Sequence, residues 1–139
     1  YWGLYTLVEQ MDKQFIENFQ FSTLKVPMGA EEDRLKMVAN LLGKQGFAMV
    51  VKPYKSPKRD GVRKIKVGPY VAVEVYGRYV DPKHGVMYAR LVGIPNPKSE
   101  HGIFMVANIA SARLPLENPD ELATKTRSGA ALTTFRYLD

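Results

Sequence analysis

The chain contains no cysteine, only two histidines and no long apolar run. Without thiols it has no disulfide, no thiolate nucleophile and no cysteine-ligated zinc. Its longest apolar stretches, such as Phe47 to Val51 and Ile103 to Ala107, are far shorter than the roughly 20 residues of a membrane-spanning helix. No charged and then apolar signal segment is visible. We therefore expect a protein that works in the cytoplasm and makes no contact with a membrane.

Motifs for catalysis and cofactor binding are also missing. The eleven glycines are scattered among turns and form no phosphate-binding loop, and no serine has the context of an activated nucleophile. His84 and His101 each fall in a predicted turn, so acid–base cleavage of RNA by this pair is the weakest of our functional hypotheses. Glu74 lies mid-strand, where we expect it to pair with Arg78 or Arg90 instead of holding a metal ion. The sequence thus predicts no catalytic residue, no cofactor and no metal site.

The positive charge of the sequence is concentrated in one short stretch. Seven of its twenty basic residues lie between Lys52 and Lys66, a stretch that holds a single acid, Asp60. The rest of the chain has thirteen basic and thirteen acidic residues, so this stretch accounts for the whole formal charge of +6. A charge concentrated in this way indicates an anionic partner.

We predict that the charged stretch forms a projecting β-hairpin, the basic arm. Strands over Phe47 to Val67 would meet at an Asp60-Gly61 turn, and two prolines would keep the tip from pairing regularly. Mobile cations suit phosphate backbones, because neutralising phosphates releases condensed counterions. The arm contributes these residues to the predicted nucleic-acid site: Lys52, Tyr54, Lys55, Lys58, Arg59, Arg63, Lys64 and Lys66.

The second part of the predicted site lies on the strands that follow. Tyr70 to Val80 alternates between apolar and polar residues, and Val86 to Ile94 forms another strand across a turn at Asp81 to Gly85. Pairing of these strands would bring two rows of tyrosine and arginine together. Unpaired bases would stack on the tyrosines, so we expect single strands to bind better than duplexes. This platform contains Tyr76, Arg78, Tyr88 and Arg90.

The overall pattern predicts a single α+β domain over residues 1–139. Its antiparallel curved sheet, or small barrel-like meander, would pack with two or three helices, with the basic arm protruding. Gly43 and Gly46 would end one helix and lead directly into a strand at Phe47 to Lys52. The other expected elements are strands at Tyr1 to Val8, Phe21 to Val26 and Ala130 to Leu138, and helices at Gln10 to Gln20, Ala30 to Gly43 and from Asn118 onward.

Two functions of different classes fit these features. The preferred one is a non-enzymatic nucleic-acid-binding protein with little sequence specificity, which uses the basic arm for phosphates and the tyrosines for stacking. The alternative is a structural or assembly subunit, viral or scaffold-like and compatible with a homo-oligomer. In that case the arm docks onto an acidic neighbour and the N-terminal strand adds to another chain's sheet. A simpler explanation also applies, since lysines and prolines keep an exposed sheet edge from aggregating.

Overall fold

A computed structural model describes residues 6–11 and 14–138, with side chains from residue 15 onward. Its strands are β1 (Thr6–Met11), β2 (Gln14–Lys25), β3 (Lys55–Val67), β4 (Tyr70–Asp81), β5 (Gly85–Ile94) and β6 (His101–Ala110). They form one antiparallel sheet in the order β1-β2-β6-β5-β4-β3. The α+β class is therefore confirmed. Among the described strands β1 and β3 are open edges, so the sheet does not close into a barrel.

Helical segments cover both faces of this sheet. One face carries a continuous run of α1 (Glu31–Asn40), a π-helical turn (Leu41–Gly46) and α2 (Phe47–Val51), and the other carries the C-terminal segment with α3 (Glu121–Thr124) and α4 (Arg127–Thr133). The helical run buries Leu35, Val38, Leu42, Phe47 and Val51 against β4 and β5. The C-terminal segment buries Leu122 and Leu132 against the opposite face. Each face of the sheet thus has its own hydrophobic core.

The predicted strand at Phe47 to Lys52 is wrong, because the chain continues as helix through the two glycines. Gly43 and Gly46 serve close packing of the helix on the sheet instead of ending it. A β-carbon on Gly46 would lie 3.1 Å from the side chain of Leu91. Phe47 and Val51 are buried one helical turn apart, so this apolar run fits the period of a helix as well as that of a strand.

The basic arm does not form as a separate projecting hairpin. Asp60 and Gly61 lie inside β3, which pairs with β4 along its length, and the actual turn between these strands is at Gly68 and Pro69. Gly61 fits because the ring of Tyr76 lies over it, where a β-carbon would come within 2.5 Å of that ring. The register with β4 shifts at this point, so the Asp-Gly pair marks a strand irregularity and not a chain reversal.

The predicted helix at Gln10 to Gln20 is also wrong, since its described residues belong to β1 and β2. The apolar spacing there fits both periods, and pairing of β2 with β6 decides for a strand. The expected strand at Phe21 to Val26 is confirmed through Lys25. Of the expected strand at Tyr1 to Val8, residues 1–5 lie outside the described residues, and the remainder is in β1.

The predicted closing strand at Ala130 to Leu138 is replaced by α4 and an irregular tail. The hydroxyl of Thr126 caps α4 by accepting a bond from Gly129 N at 2.9 Å. The buried carboxylate of Glu17, on β2, accepts bonds from the backbone N–H groups of Arg127 and Ser128. Two acceptors at the first turn therefore fix a helix where alternation alone suggested a strand.

The helix expected from Asn118 onward begins at Glu121, and the chain leaves it at Lys125. Tyr70 to Val80 and Val86 to Ile94 are strands, as predicted, and lie within β4 and β5. No helix among the described residues is long and apolar enough to cross a membrane.

Candidate binding edge

Strand β3 places the predicted cations along the edge of the sheet, on both of its faces. Lys64 and Lys66 lie on the face covered by α1, whereas Lys58 and Arg63 lie on the face covered by the C-terminal segment. The guanidinium of Arg59 donates to the carbonyl oxygen of Gly43 in the π-helical turn, at 2.6 Å. The cationic edge, as we call Lys52 and β3 together, is thus a line of charge and not one projecting cluster.

Three cations of the cationic edge have carboxylate partners at the surface. Lys58 Nζ lies 3.8 Å from Asp60, and Lys64 Nζ lies 3.6 Å from Glu32, a pair with both side chains more than 60% exposed. The Arg63 guanidinium lies 2.9 Å from Asp120 of the C-terminal segment. Exposed pairs contribute about 0–1 kcal/mol, so these lysines remain available to another anion.

Three further lysines of the cationic edge are Lys52, Lys55 and Lys66. None of them forms an ion pair with a described residue. All three side chains belong to exposed residues at the surface. The cationic edge therefore keeps a positive balance after its internal pairs are taken into account.

Beneath the cationic edge, one buried carboxylate holds two arginines. Glu74 on β4 is fully buried and bonds Arg63 Nε at 2.5 Å and Arg90 Nε at 2.6 Å. Arg90 on β5 is itself 2% exposed. Burial lowers the pKa of Arg63, but its bonds to Glu74 and Asp120 outweigh burial and raise that pKa overall. The expected pairing of Glu74 with Arg90 is present, and this group ties three strands together.

The two strands of the predicted platform are paired, in a register that the sequence did not fix, and both tyrosines are half-buried. Tyr76 is opposite Arg90, and Arg78 is opposite Tyr88, so the two tyrosine and arginine rows do meet. Residues 116–119 lie beside this face and form with it an open cavity of about 310 Å³, which Tyr76, Arg78 and Tyr88 line together with Asp60. The platform thus forms one wall of an open cavity, with Arg78 exposed and both tyrosines half-buried.

The tyrosines proposed for base stacking already have partners within the protein. Tyr54 stacks on Tyr79, with ring centroids 4.3 Å apart, and the Tyr79 hydroxyl donates to Asn108 at 2.7 Å. The Arg63 guanidinium lies 5.3 Å from the centroid of the Tyr76 ring. Tyr88 is half-buried in the cavity wall. The contact with Tyr79 thus occupies one face of the Tyr54 ring, which is half-buried.

The two histidines do not form a joint site. His84 precedes β5 and His101 begins β6, so the ten residues of β5 separate them, a distance of roughly 30 Å along the sheet. His84 packs on Phe15, and His101 lies 3.6 Å from Glu100. Within residues 6–11 and 14–138 there is no group of three acidic or histidine side chains that could hold a metal ion.

Sequence reasoning located the cations but missed the acids that bind them and the open strand edge beside them. Glu32 and Asp120 are far from β3 in the chain and meet it only through packing of α1 and the C-terminal segment. The open edge follows from strand order, because β3 has β4 on one side and no described strand on the other. An extended anionic segment could contact the exposed lysines and the open backbone edge of β3 at the same time.

Comparison with known proteins gives a fold and no function. No protein-family model matches the chain, and no curated protein matches it. A crystal structure of PA94 from Pseudomonas aeruginosa, a protein of unknown function described as a candidate regulator, is similar over 99% of this chain and 83% of that chain. The TM-score is 0.57 and the sequence identity 16%, so the likeness extends to the fold alone.

Proposed function

We propose that this protein is a non-enzymatic binding protein, an assembly subunit that holds an acidic protein partner along the cationic edge. One observation carries the proposal: β3 is an open strand with cations on both of its faces. A protein segment that lies along such an edge can present carboxylates to either face. Charge on this edge also favours encounter with an acidic surface through long-range attraction.

The internal packing of the tyrosines is why we place a protein partner ahead of nucleic acid. Tyr54 is stacked on Tyr79, and Tyr76 and Tyr88 line an open cavity beside residues 116–119. Base stacking supplies about 1–3 kcal/mol per base in proteins that prefer single strands. Because these rings are half-buried and already packed within the protein, the edge offers mainly charge and backbone groups, and an acidic segment uses both.

Nucleic acid remains the second candidate, because the lysines without ion pairs suit phosphate groups. If Lys52, Lys55 and Lys66 each reach a phosphate, the logarithm of duplex affinity should fall with the logarithm of salt at a slope of about −3. Single strands would be preferred if bases stack on the exposed parts of Tyr54, Tyr76 or Tyr88.

A binding titration separates these candidates. Labelled polyglutamate, a single-stranded oligonucleotide and a duplex are titrated with the protein, with a Lys64→Gln/Lys66→Gln variant and with a control that loses the same charge, Lys36→Gln/Lys44→Gln. We expect polyglutamate to bind and the edge variant to bind about fivefold to tenfold more weakly, the loss of two exposed charge pairs. The control should bind as the unmodified protein does.

The opposite results are equally clear. Equal losses in the edge variant and the control would show non-specific attraction to net charge. Binding of oligonucleotides with no binding of polyglutamate would favour the second candidate. Cleavage of the oligonucleotide that depends on His84 or His101 would favour an enzyme instead.

A further inference from the structure

We propose that the acidic partner adds to the sheet as a seventh strand along Gly61 to Val67 of β3. This inference rests on the proposed function and names its mode of binding. From Gly61 to Val67 each residue of β3 is opposite one residue of β4, from Tyr76 back to Tyr70. Seven residues span about 23 Å, the usual length of a strand in a sheet. The preceding residues from Lys55 to Gly61 have two register shifts and cannot serve as a regular template.

The backbone of this segment has an unused side. In an antiparallel ladder, alternate residues of an edge strand direct both their N–H and C=O groups away from the neighbouring strand. No described strand lies on the outer side of β3, and no backbone bond of Gly61 to Val67 beyond the ladder with β4 is present among the described residues. An extended peptide could form main-chain hydrogen bonds with these outward N–H and C=O groups, as in other cases of strand addition.

The side chains of the segment specify the sequence pattern of the partner. Lys64 and Lys66 lie together on one face and call for carboxylates on the facing positions of an added strand. On the other face Ile65 is half-buried and Arg63 is already bound to Glu74 and Asp120, so apolar residues fit there. The surface pair of Lys64 with Glu32 is weak enough to be exchanged. The partner is therefore a segment in which acidic and apolar residues alternate.

The same charges argue against a second copy of this chain as the added strand. Pairing of β3 with β3 of another molecule would bring strands that each carry Arg63, Lys64 and Lys66 side by side. Like charges on adjacent strands are destabilising, and lysines at an edge are a common protection against self-association. A separate acidic chain relieves this repulsion.

Peptides with blocked amides test the proposal. The probe is a labelled peptide of four Glu-Val repeats, compared with two versions that are N-methylated on alternate residues, one at the glutamates and one at the valines. An added strand turns only one of these two sets of amides toward β3. We expect one methylated peptide to bind as the parent does and the other to bind at least about tenfold more weakly, the loss of one or two backbone hydrogen bonds.

Hydrogen exchange gives an independent readout on the protein. Binding of the parent peptide should slow amide exchange at alternate residues between Gly61 and Val67. The Lys64→Gln/Lys66→Gln variant should lose most of this protection, whereas Lys36→Gln/Lys44→Gln should keep it. The exposed positions of all four lysines make folding defects in these variants unimportant for the comparison.

Each other outcome overturns a defined part of the argument. Equal affinity for all three peptides would show attraction by charge alone, so the seventh strand would be wrong and the proposed function would stand. Equal weakening by both methylation patterns would also exclude strand addition. If no acidic peptide or polyglutamate binds, both proposals fail. Oligonucleotide binding would then indicate a phosphate-binding edge. If oligonucleotides do not bind either, the remaining explanation is that the lysines protect the strand edge from aggregation.

Discussion

The cations of this protein lie in two contrasting settings that are a few residues apart. Arg63 and Arg90 share the buried carboxylate of Glu74, whereas Lys64 forms a surface pair with Glu32 at 3.6 Å. The buried carboxylate is essential for stability, because removing it would leave the charge of Arg90 buried without a counter-charge. Solvent makes the surface pair nearly neutral in energy. Cation–glutamate pairs thus hold the sheet together in one place and can be exchanged for a partner's carboxylate in the other.

The largest effect is expected when the buried carboxylate is neutralised. Glu74→Gln should lower the free energy of unfolding by about 3 kcal/mol or more, because Arg90 keeps its charge in a buried site without a counter-charge. Urea denaturation measures this change. A loss below about 1 kcal/mol would show that solvent reaches Arg90 and would remove the contrast between the two settings.

Arg34 tests whether a buried cation can depend on carbonyl groups in place of a carboxylate. Its guanidinium donates to four backbone oxygens, those of Asn96, Ser99, Pro27 and Val26, at 2.7–3.2 Å. Arg34→Met should reduce the free energy of unfolding by about 2–4 kcal/mol, since it leaves carbonyls of two loops unsatisfied.

Lys36→Met, on the same helix but exposed, is the control for Arg34 and should change stability by less than about 0.5 kcal/mol. Equal effects of the two substitutions would show that the loops do not depend on Arg34.

Alkaline pH probes the C-terminal segment, which lies over the buried Arg90. Burial raises the pKa of Tyr137 to about 12, and its hydroxyl accepts a bond from Ile103 N at 2.9 Å and donates to Ile94 O. The folded state holds this proton more tightly than the unfolded state, whose tyrosine pKa is about 10. The contribution is therefore complete below pH about 10 and is lost as the pH rises toward 12.

Tyr137→Phe should show a smaller loss of stability over that alkaline range than the unmodified protein. Denaturation at several pH values measures the slope in both proteins. Identical slopes would mean that Tyr137 ionises in the folded protein at its ordinary pKa.

The smallest effect is expected at the surface pair. Glu32→Gln should change the free energy of unfolding by no more than about 0.5 kcal/mol, because both partners are more than 60% exposed. It should strengthen binding of polyglutamate slightly, since Lys64 no longer has a competing carboxylate. A large loss of stability would place this pair with the buried group and argue against an exchangeable edge.

Sequence patterns predicted the parts of the fold in which local signals agree with packing. Tyr70 to Val80 alternates cleanly and ends in a turn, and it lies in β4, which pairs with β5 as expected. The helix at Ala30 to Gly43 was found from its acidic first turn and is α1 with the start of the π-helical turn. Arg90 was one of two partners expected for Glu74, and the register with β5, which the sequence did not fix, decides between them.

The errors concern short apolar runs whose spacing fits two periods. Phe47 to Val51 became α2 because it packs on the sheet, with the Phe47 ring over Gly77 of β4, and Gln14 to Gln20 became a strand because β6 lies beside it. Neither contact can be read from neighbouring residues. For the same reason the charge of the cationic edge was visible in the sequence, while its division between two faces and its acidic partners were not.

The strand order has a consequence for how the protein is made. β3, β4, β5 and β6 follow one another through short turns, but β2 pairs with β6, and the side chains of Asn18 and Asn108 that meet there are 90 positions apart. Contacts this distant form late and slow folding. On the ribosome, β2 therefore cannot pair fully with β6 until the chain has been synthesised through Ala110. During this interval the edge of β2 that later pairs with β6 is accessible to chaperones and to mispairing with strands of other chains.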